Sequence, residues 1–238
     1  MPRMKRRPMP RQYSGKIQRI LSRIETLPNE LVSEVLGRVA ASSIIDIINA
    51  KLSCKTFKEI GEDSHVYHHM SLNKKFIDSW TPLSQEQQVF LNKCWNSENP
   101  ELFYRQAMLD YFNRGDMESA CKYLLKAVDA RHVGALYLTC IMLILSGDDR
   151  FKDKGIDMIS NMQKPRWLRR KLALYRESLT ECLRRMWVKY PNLNPHLVFC
   201  QTRHQNHWRS GWRDMDEELQ CQACCVDREI SAICGFLK

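Results

Sequence analysis

A chain of 238 residues with 44% hydrophobic and 27% charged residues has the composition of a folded protein and the length for a substantial core in one or two domains, which excludes a disordered chain. Its 10 cysteines point to no disulfide framework: Met1-Pro2-Arg3-Met4-Lys5-Arg6-Arg7 lacks the apolar run of a signal peptide, so reduced thiols in cytosol or nucleus are expected. The net charge of +10 argues weakly for nucleic acid, because residues 1–23 hold eight Lys or Arg and no acid, leaving only +2 on the other 215 residues.

Residues 1–23 read as a basic tail, in which Lys5-Arg6-Arg7-Pro8 fits a nuclear import signal, a solvated tail or, less well, a transit peptide. A first helix then starts at Pro28, whose missing N–H has no partner to lose in a first turn. Leu31, Val35 and Val39 recur at four-residue steps with Leu27 and Leu36 beside them, and Gly37 is expected to fray the helix soon afterwards. Ser43 caps a second helix answered by Asp46. Ile44, Ile45, Ile47 and Ile48 make that helix apolar on more than one face, which demands cover from the chain or a partner. Leu52, Cys54 and Phe57 continue the apolar set on a third helix.

The order of Leu27-Pro28, an amphipathic helix, a Ser-capped apolar helix and Cys54-Lys55-x-Phe57 resembles an F-box, most closely of the plant type. The resemblance implies docking on the Skp-type adaptor of a cullin–RING ubiquitin ligase. Its adaptor-binding positions would be Leu27, Pro28, Leu31, Val35, Leu36, Ile44, Ile48, Cys54 and Phe57. Three short helices bury little surface, so such a module gains stability from a partner or from the rest of the chain.

Residues 62–80 read as a connector holding His65, His68 and His69. A metal there is disfavoured, because adjacent His68 and His69 do not share a helix face. Ser84 or Thr81 caps the next helix, with Leu91, Cys94 and Trp95 on one face. Residues 99–163 then read as a pair of helical hairpins. Asn99-Pro100-Glu101 opens a helix carrying Leu102, Phe103, Ala107 and Tyr111, and Arg114-Gly115 closes it. Asp116 caps a helix with Ala120, Tyr123, Leu124 and Ala127. Gly134 begins a third helix closed by Ser146-Gly147, and Gly155 to Ile159 lies in a fourth. The apolar run within the third, Leu136 to Leu145, is too short to span a bilayer.

Phe112-x-x-Gly115 recurs as Ile144-x-x-Gly147, 32 residues later, the period of an α-solenoid. Arg114-Gly115-Asp116, Ala120, Leu124-x-x-Ala127, His132-Val133-x-Ala135-x-Tyr137 and Gly147 resemble Sel-type tetratricopeptide-like repeats, although the Gly expected near Thr139 is absent. The resemblance implies a surface that binds peptides or proteins.

After the Lys164-Pro165 break, Leu168, Leu172, Tyr175, Leu179, Cys182 and Met186 predict an amphipathic helix from about Trp167 to Lys189 that caps the repeats and carries a basic outer face. Residues 196–238 collect Cys200, His204, His207, Cys221, Cys224, Cys225 and Cys234. Cys221-x-x-Cys224 with Cys200-x-x-x-His204 has ligand types and spacing for a structural zinc, with His207, Cys225 or Cys234 as substitutes; the alternative is a tail with free thiols.

The expected architecture is all-α: a basic tail over 1–23, a three-helix F-box over 24–70, a solenoid-like repeat region with its capping helix over 81–190, and a small irregular Cys/His-rich segment over 196–238. No phosphate loop, nucleophile elbow or His-Glu-x-x-His is present, so no catalysis is expected. The function implied is that of a non-catalytic substrate adaptor in an SCF-type ligase, in nucleus or cytoplasm, joining a Skp-type protein to a protein substrate. A helical scaffold outside any ligase, or a nuclear nucleic-acid binder with a zinc knuckle, are the alternatives.

Overall fold

The computed structural model describes residues 27–72, 83–186 and 222–234, and every regular element among them is helical. These helices fall into two compact units.

The first unit contains α1 (Asn29–Ser42), α2 (Ile44–Ser53), α3 (Lys55–Ile60), α4 (Ser64–His68) and α5 (Gln85–Asn96). Helix α1 starts at Pro28 with no side-chain cap, and each of the other four starts is fixed by a local side chain. Ser43 Oγ accepts from the Asp46 N–H at 3.2 Å, and Cys54 Sγ accepts from the Phe57 N–H at 3.4 Å. Ser84 and Gln87 form a reciprocal capping box at the head of α5. Val32, Leu36 and Ala40 of α1 pack with Ile44 and Ile47 of α2 and Val66 and Tyr67 of α4 as the buried set.

Two expectations change here. Helix α1 runs five residues past Gly37 to Ser42, because Gly37 is buried where a Cβ would lie 3.1 Å from the His65 ring. Its lack of a side chain is what lets α4 approach α1. The supposed connector over 62–80 is part of the folded unit in its described residues 62–72, with Val66, Tyr67, Met70 and Leu72 buried, and residues 73–80 lie outside the described residues.

Helix α5 packs within this first unit, against α4, although the sequence placed it at the head of the repeat region over 81–190. The buried Asn99 side chain explains how: its Nδ2 donates to the Tyr67 carbonyl at 2.8 Å and to the Met70 carbonyl at 2.9 Å. Satisfying two buried carbonyls with one amide fixes the exit from α5 to α4.

The second unit holds α6 (Pro100–Leu109), α7 (Met117–Asp129), α8 (Val133–Leu145), α9 (Asp149–Gln163), α10 (Arg166–Arg185) and α11 (Gln222–Cys234). Helices α6 and α7 form one hairpin and α8 and α9 another. Both hairpins end their leading helix at a glycine in the left-handed region, Gly115 at φ 71° and Gly147 at φ 80°, so the repeat seen in the sequence is a repeat of backbone conformation. Before Gly115 the chain widens into a single π-turn over Asp110–Arg114. The buried Asp110 carboxylate there accepts from Gln106 at 2.8 Å, Arg114 at 2.7 Å and Ser119 Oγ at 2.7 Å, tying the end of α6 to the start of α7.

Helix α10 follows the predicted stripe, with Leu172, Leu179, Leu183 and Met186 buried. Within the segment expected to be irregular, residues 222–234 instead form α11, packed on α9 and α10. Val226, Ile230, Ile233 and Cys234 recur at helical spacing and enter the same core as Tyr137, Leu138 and Ile141.

Candidate functional site: the uncovered face of the N-terminal unit

Helix α1 carries two apolar stripes. Val32, Leu36 and Ala40 face inward, while Leu27, Leu31 and Val35 stand in solvent at the same four-residue step. Helix α2 repeats the arrangement: Ile44 and Ile47 are buried, and Ile45, Ile48 and Leu52 are exposed, Leu52 to 78%. Five large apolar side chains on two adjacent helices, with Leu27 just ahead of the first, therefore stay open to water in a unit whose inner stripes are closed. At roughly 25 cal/mol per Å2, covering such side chains is the main favourable term available to a partner.

The nine residues that the resemblance points to divide on this geometry. Leu27, Pro28, Leu31, Val35 and Ile48 are exposed. Leu36 and Ile44, at 3% and 6% exposure, lie in the interior of the unit and cannot reach a partner without unfolding it. Cys54 and Phe57 are half-buried, and Cys54 is engaged as the cap of α3. Ile45 and Leu52, absent from that set, belong to the open face. Their signal in the sequence is the all-round apolarity of α2, which shows that two faces exist without telling which one the chain covers.

Behind the face, polar side chains lock the helices together. Glu62 forms ion pairs with Lys51 and with Lys93, the latter at 2.5 Å, and accepts from Tyr67 Oη at 2.9 Å. Partial burial raises the Glu62 pKa, but the hydrogen bonds from Lys51, Lys93 and Tyr67 outweigh it and hold the carboxyl at about 2. Each histidine of the cluster has a partner: His65 Nε2 lies 3.0 Å from Glu34, His68 Nδ1 lies 3.0 Å from the Ser97 carbonyl, and His69 packs edge-on against both rings.

In the second unit the polar side chains are structural too. His132 Nδ1 accepts the Ala135 N–H at 3.1 Å as the cap of α8, so in the neutral ring Nε2 carries the proton and donates to Glu101 at 2.8 Å. Burial raises the Glu101 pKa, and its contacts with His132 and Arg105 bring it below the usual carboxylate value. Glu229 of α11 is almost wholly buried and accepts from Arg176 Nη1 at 2.6 Å, Tyr137 Oη at 2.9 Å and Gln163 Nε2 at 3.4 Å. The pairing of His132 with Glu101 and the contacts of Glu229 were not legible in the sequence, since those partners lie tens of residues apart.

Of the residues expected to bind zinc, Cys200, His204, His207 and Cys221 lie outside the described residues, and Cys224 sits half-buried on α11. The substitutes Cys225 and Cys234 are buried on α11, and burial pushes the Cys234 thiol up, away from the thiolate a metal takes.

The fold and this face define an all-α protein with a helical module bearing exposed apolar side chains ahead of helical hairpins. Comparison with known proteins agrees. Residues 72–184 match the family of plant tetratrico peptide repeats. A protein of Arabidopsis thaliana named "Putative F-box protein At1g67623" is 27% identical over 142 residues, covering 59% of this chain and 46% of the relative. A second from the same organism, "F-box protein At2g35280", is 25% identical over 154 residues, covering 63% of this chain and 91% of the relative. The chain thus spans about half the length of the first relative and nearly all of the second. No solved structure matches it. The chain is similar to plant F-box proteins, and its residues 72–184 are similar to plant tetratrico peptide repeats.

Proposed function

We propose that this protein is a non-catalytic substrate adaptor of an SCF-type cullin–RING ubiquitin ligase, working in nucleus or cytoplasm. The single observation that supports this most is the pair of apolar stripes left open on α1 and α2, carried by Leu27, Leu31, Val35, Ile45, Ile48 and Leu52. A Skp-type adaptor is the partner that covers them. The second unit holds the protein substrate, and Trp167 and Leu174, exposed seven residues apart on one side of α10, are its first candidate contacts. The mechanism is proximity: a substrate tethered to the ligase experiences a raised local concentration of the ubiquitin-charged enzyme. No bond is made or broken by this chain.

The test is co-purification with a Skp-type adaptor, comparing the native chain with Val35→Glu/Ile48→Glu. Both side chains are exposed, so folding is retained while charge is placed in the proposed contact. The expected result is a stable native complex and a loss of affinity of roughly 100-fold or more in the variant, as for removal of central interface anchors. Equal binding by the two proteins, or none by the folded native chain, would leave a helical scaffold outside the ligase.

A further inference from the structure

We infer that the outer face of α10 is the docking site for an acidic polypeptide segment that carries apolar residues among its carboxylates. This rests on the proposed role of the second unit as the holder of the substrate, and it names the chemical class of substrate that unit takes.

Trp167 and Leu174 are 60% and 61% exposed, on a helix whose inner stripe of Leu172, Leu179 and Leu183 is closed. At about 3.6 residues per turn, Arg166 and Arg170 flank this apolar pair on one side and Lys171 flanks it on the other. All three cations are exposed. From residue 158 to 176 the sequence holds six Lys or Arg and no acid.

A basic helix face is usually only solvated, so what each cation already does matters. Arg176 pairs with the buried Glu229, Arg169 Nε donates to the Gln163 carbonyl at 3.1 Å, and Lys164 Nζ donates to the Asn161 side chain at 2.7 Å. Arg170 forms no ion pair among the described residues. Lys171 Nζ stands 5.6 Å from the centroid of the Trp167 ring, a cation–π contact that sets ammonium and indole side by side before any partner arrives. Groups ordered in advance lose less freedom on binding. Trp and Arg are also the side chains on which interface energy concentrates.

Charge and length then choose the occupant. Carboxylates meet Arg166, Arg170 and Lys171, while apolar side chains cover Trp167 and Leu174. From Arg166 to Leu174 the helix rises about 12 Å. That matches about four residues of extended peptide. Glu177 comes next on the same exposed side, so the long phosphate backbone of a nucleic acid would run onto a carboxylate.

The experiment selects peptides from a random display library on the full native chain. Enriched peptides are then titrated against the native chain, Trp167→Ala/Leu174→Ala and Arg170→Glu/Lys171→Glu. All four side chains are exposed, so the urea midpoint is expected to stay the same. Enriched peptides are expected to combine Asp or Glu with an aromatic or aliphatic residue, and each variant to bind them at least about tenfold more weakly. Native affinity should fall as salt rises, since exposed charges are screened. Enrichment of neutral or basic peptides, no enrichment, or equal binding by native chain and variants would overturn the inference. So would tighter binding of an oligothymidylate than of any selected peptide, which would give the face to nucleic acid. The adaptor reading fails separately, because its co-purification test uses α1 and α2. Acidic-peptide binding by a chain that ignores the adaptor would keep this face and remove the ligase. Adaptor binding by a chain that selects no acidic peptide would remove this face alone.

Discussion

Ile47 and Ile48 are neighbours in the chain with opposite fates: the first is fully buried and the second stands about half in solvent. In the second unit the comparable pair, Ile141 and Met142, is buried on both sides. Helices α2 and α8 are both apolar around most of their circumference. The difference lies in what covers them. Helix α8 is enclosed by neighbours from its own unit, including α7, α9 and α10. Helix α2 has α1 and α3 beside it, and its outer side is left bare. An apolar stripe that the chain does not cover is a statement about a partner, and the same stripe covered in cis is a statement about stability.

The largest effect is expected where the second unit is closed. Arg176→Ala strands the buried Glu229 carboxylate without its main counter-charge, a loss of about 3–5 kcal/mol, read as a lower urea midpoint. A shift under about 1 kcal/mol would mean that Tyr137, Gln163 and Arg228 together satisfy Glu229. The comparison within α2 is sharper. Ile47→Ala is expected to cost about 2–5 kcal/mol through a cavity in the first unit, and Ile48→Ala within about 0.5 kcal/mol. Similar losses for both would show that the outer face is covered after all. The smallest effect concerns Glu62. Its pKa lies at about 2, below the ordinary 4.5, so its contribution is complete above pH 4.5 and is lost as pH falls toward 2. Because the side chain is 43% exposed, solvent screening keeps that contribution to about 1 kcal/mol or less. Glu62→Gln should flatten the acid limb of the first unit's stability profile, and an unchanged profile would remove Glu62 from the account.

Much of the architecture was legible because it is written in local signals. Ser43, Ser84 and Asp116 cap the helices that the sequence assigns to them. Gly115 and Gly147 end the helices where their spacing predicts. What was not legible depends on distance along the chain. The first unit recruits α5 through Asn99, a residue that reads locally as the opening of the next helix. Helix α11 was hidden by its cysteines, which drew attention to metal chemistry although Val226, Ile230 and Ile233 follow an amphipathic period. For the open face, the apolar positions of α1 and α2 were all visible. Which of them point inward is decided by α4, whose packing against Gly37 no periodicity reveals.

The placement of α11 also sets an order of assembly during synthesis. Every helix of the first unit has left the ribosome before the second unit's last wall exists, so the first unit can close while its neighbour is still being made. The second unit has to wait with the flank of α9 and α10 bare until residues 222–234 emerge. A nascent chain stalled or cut short before that point displays sticky core residues such as Tyr137 and Leu179, and becomes a client for chaperones and proteases.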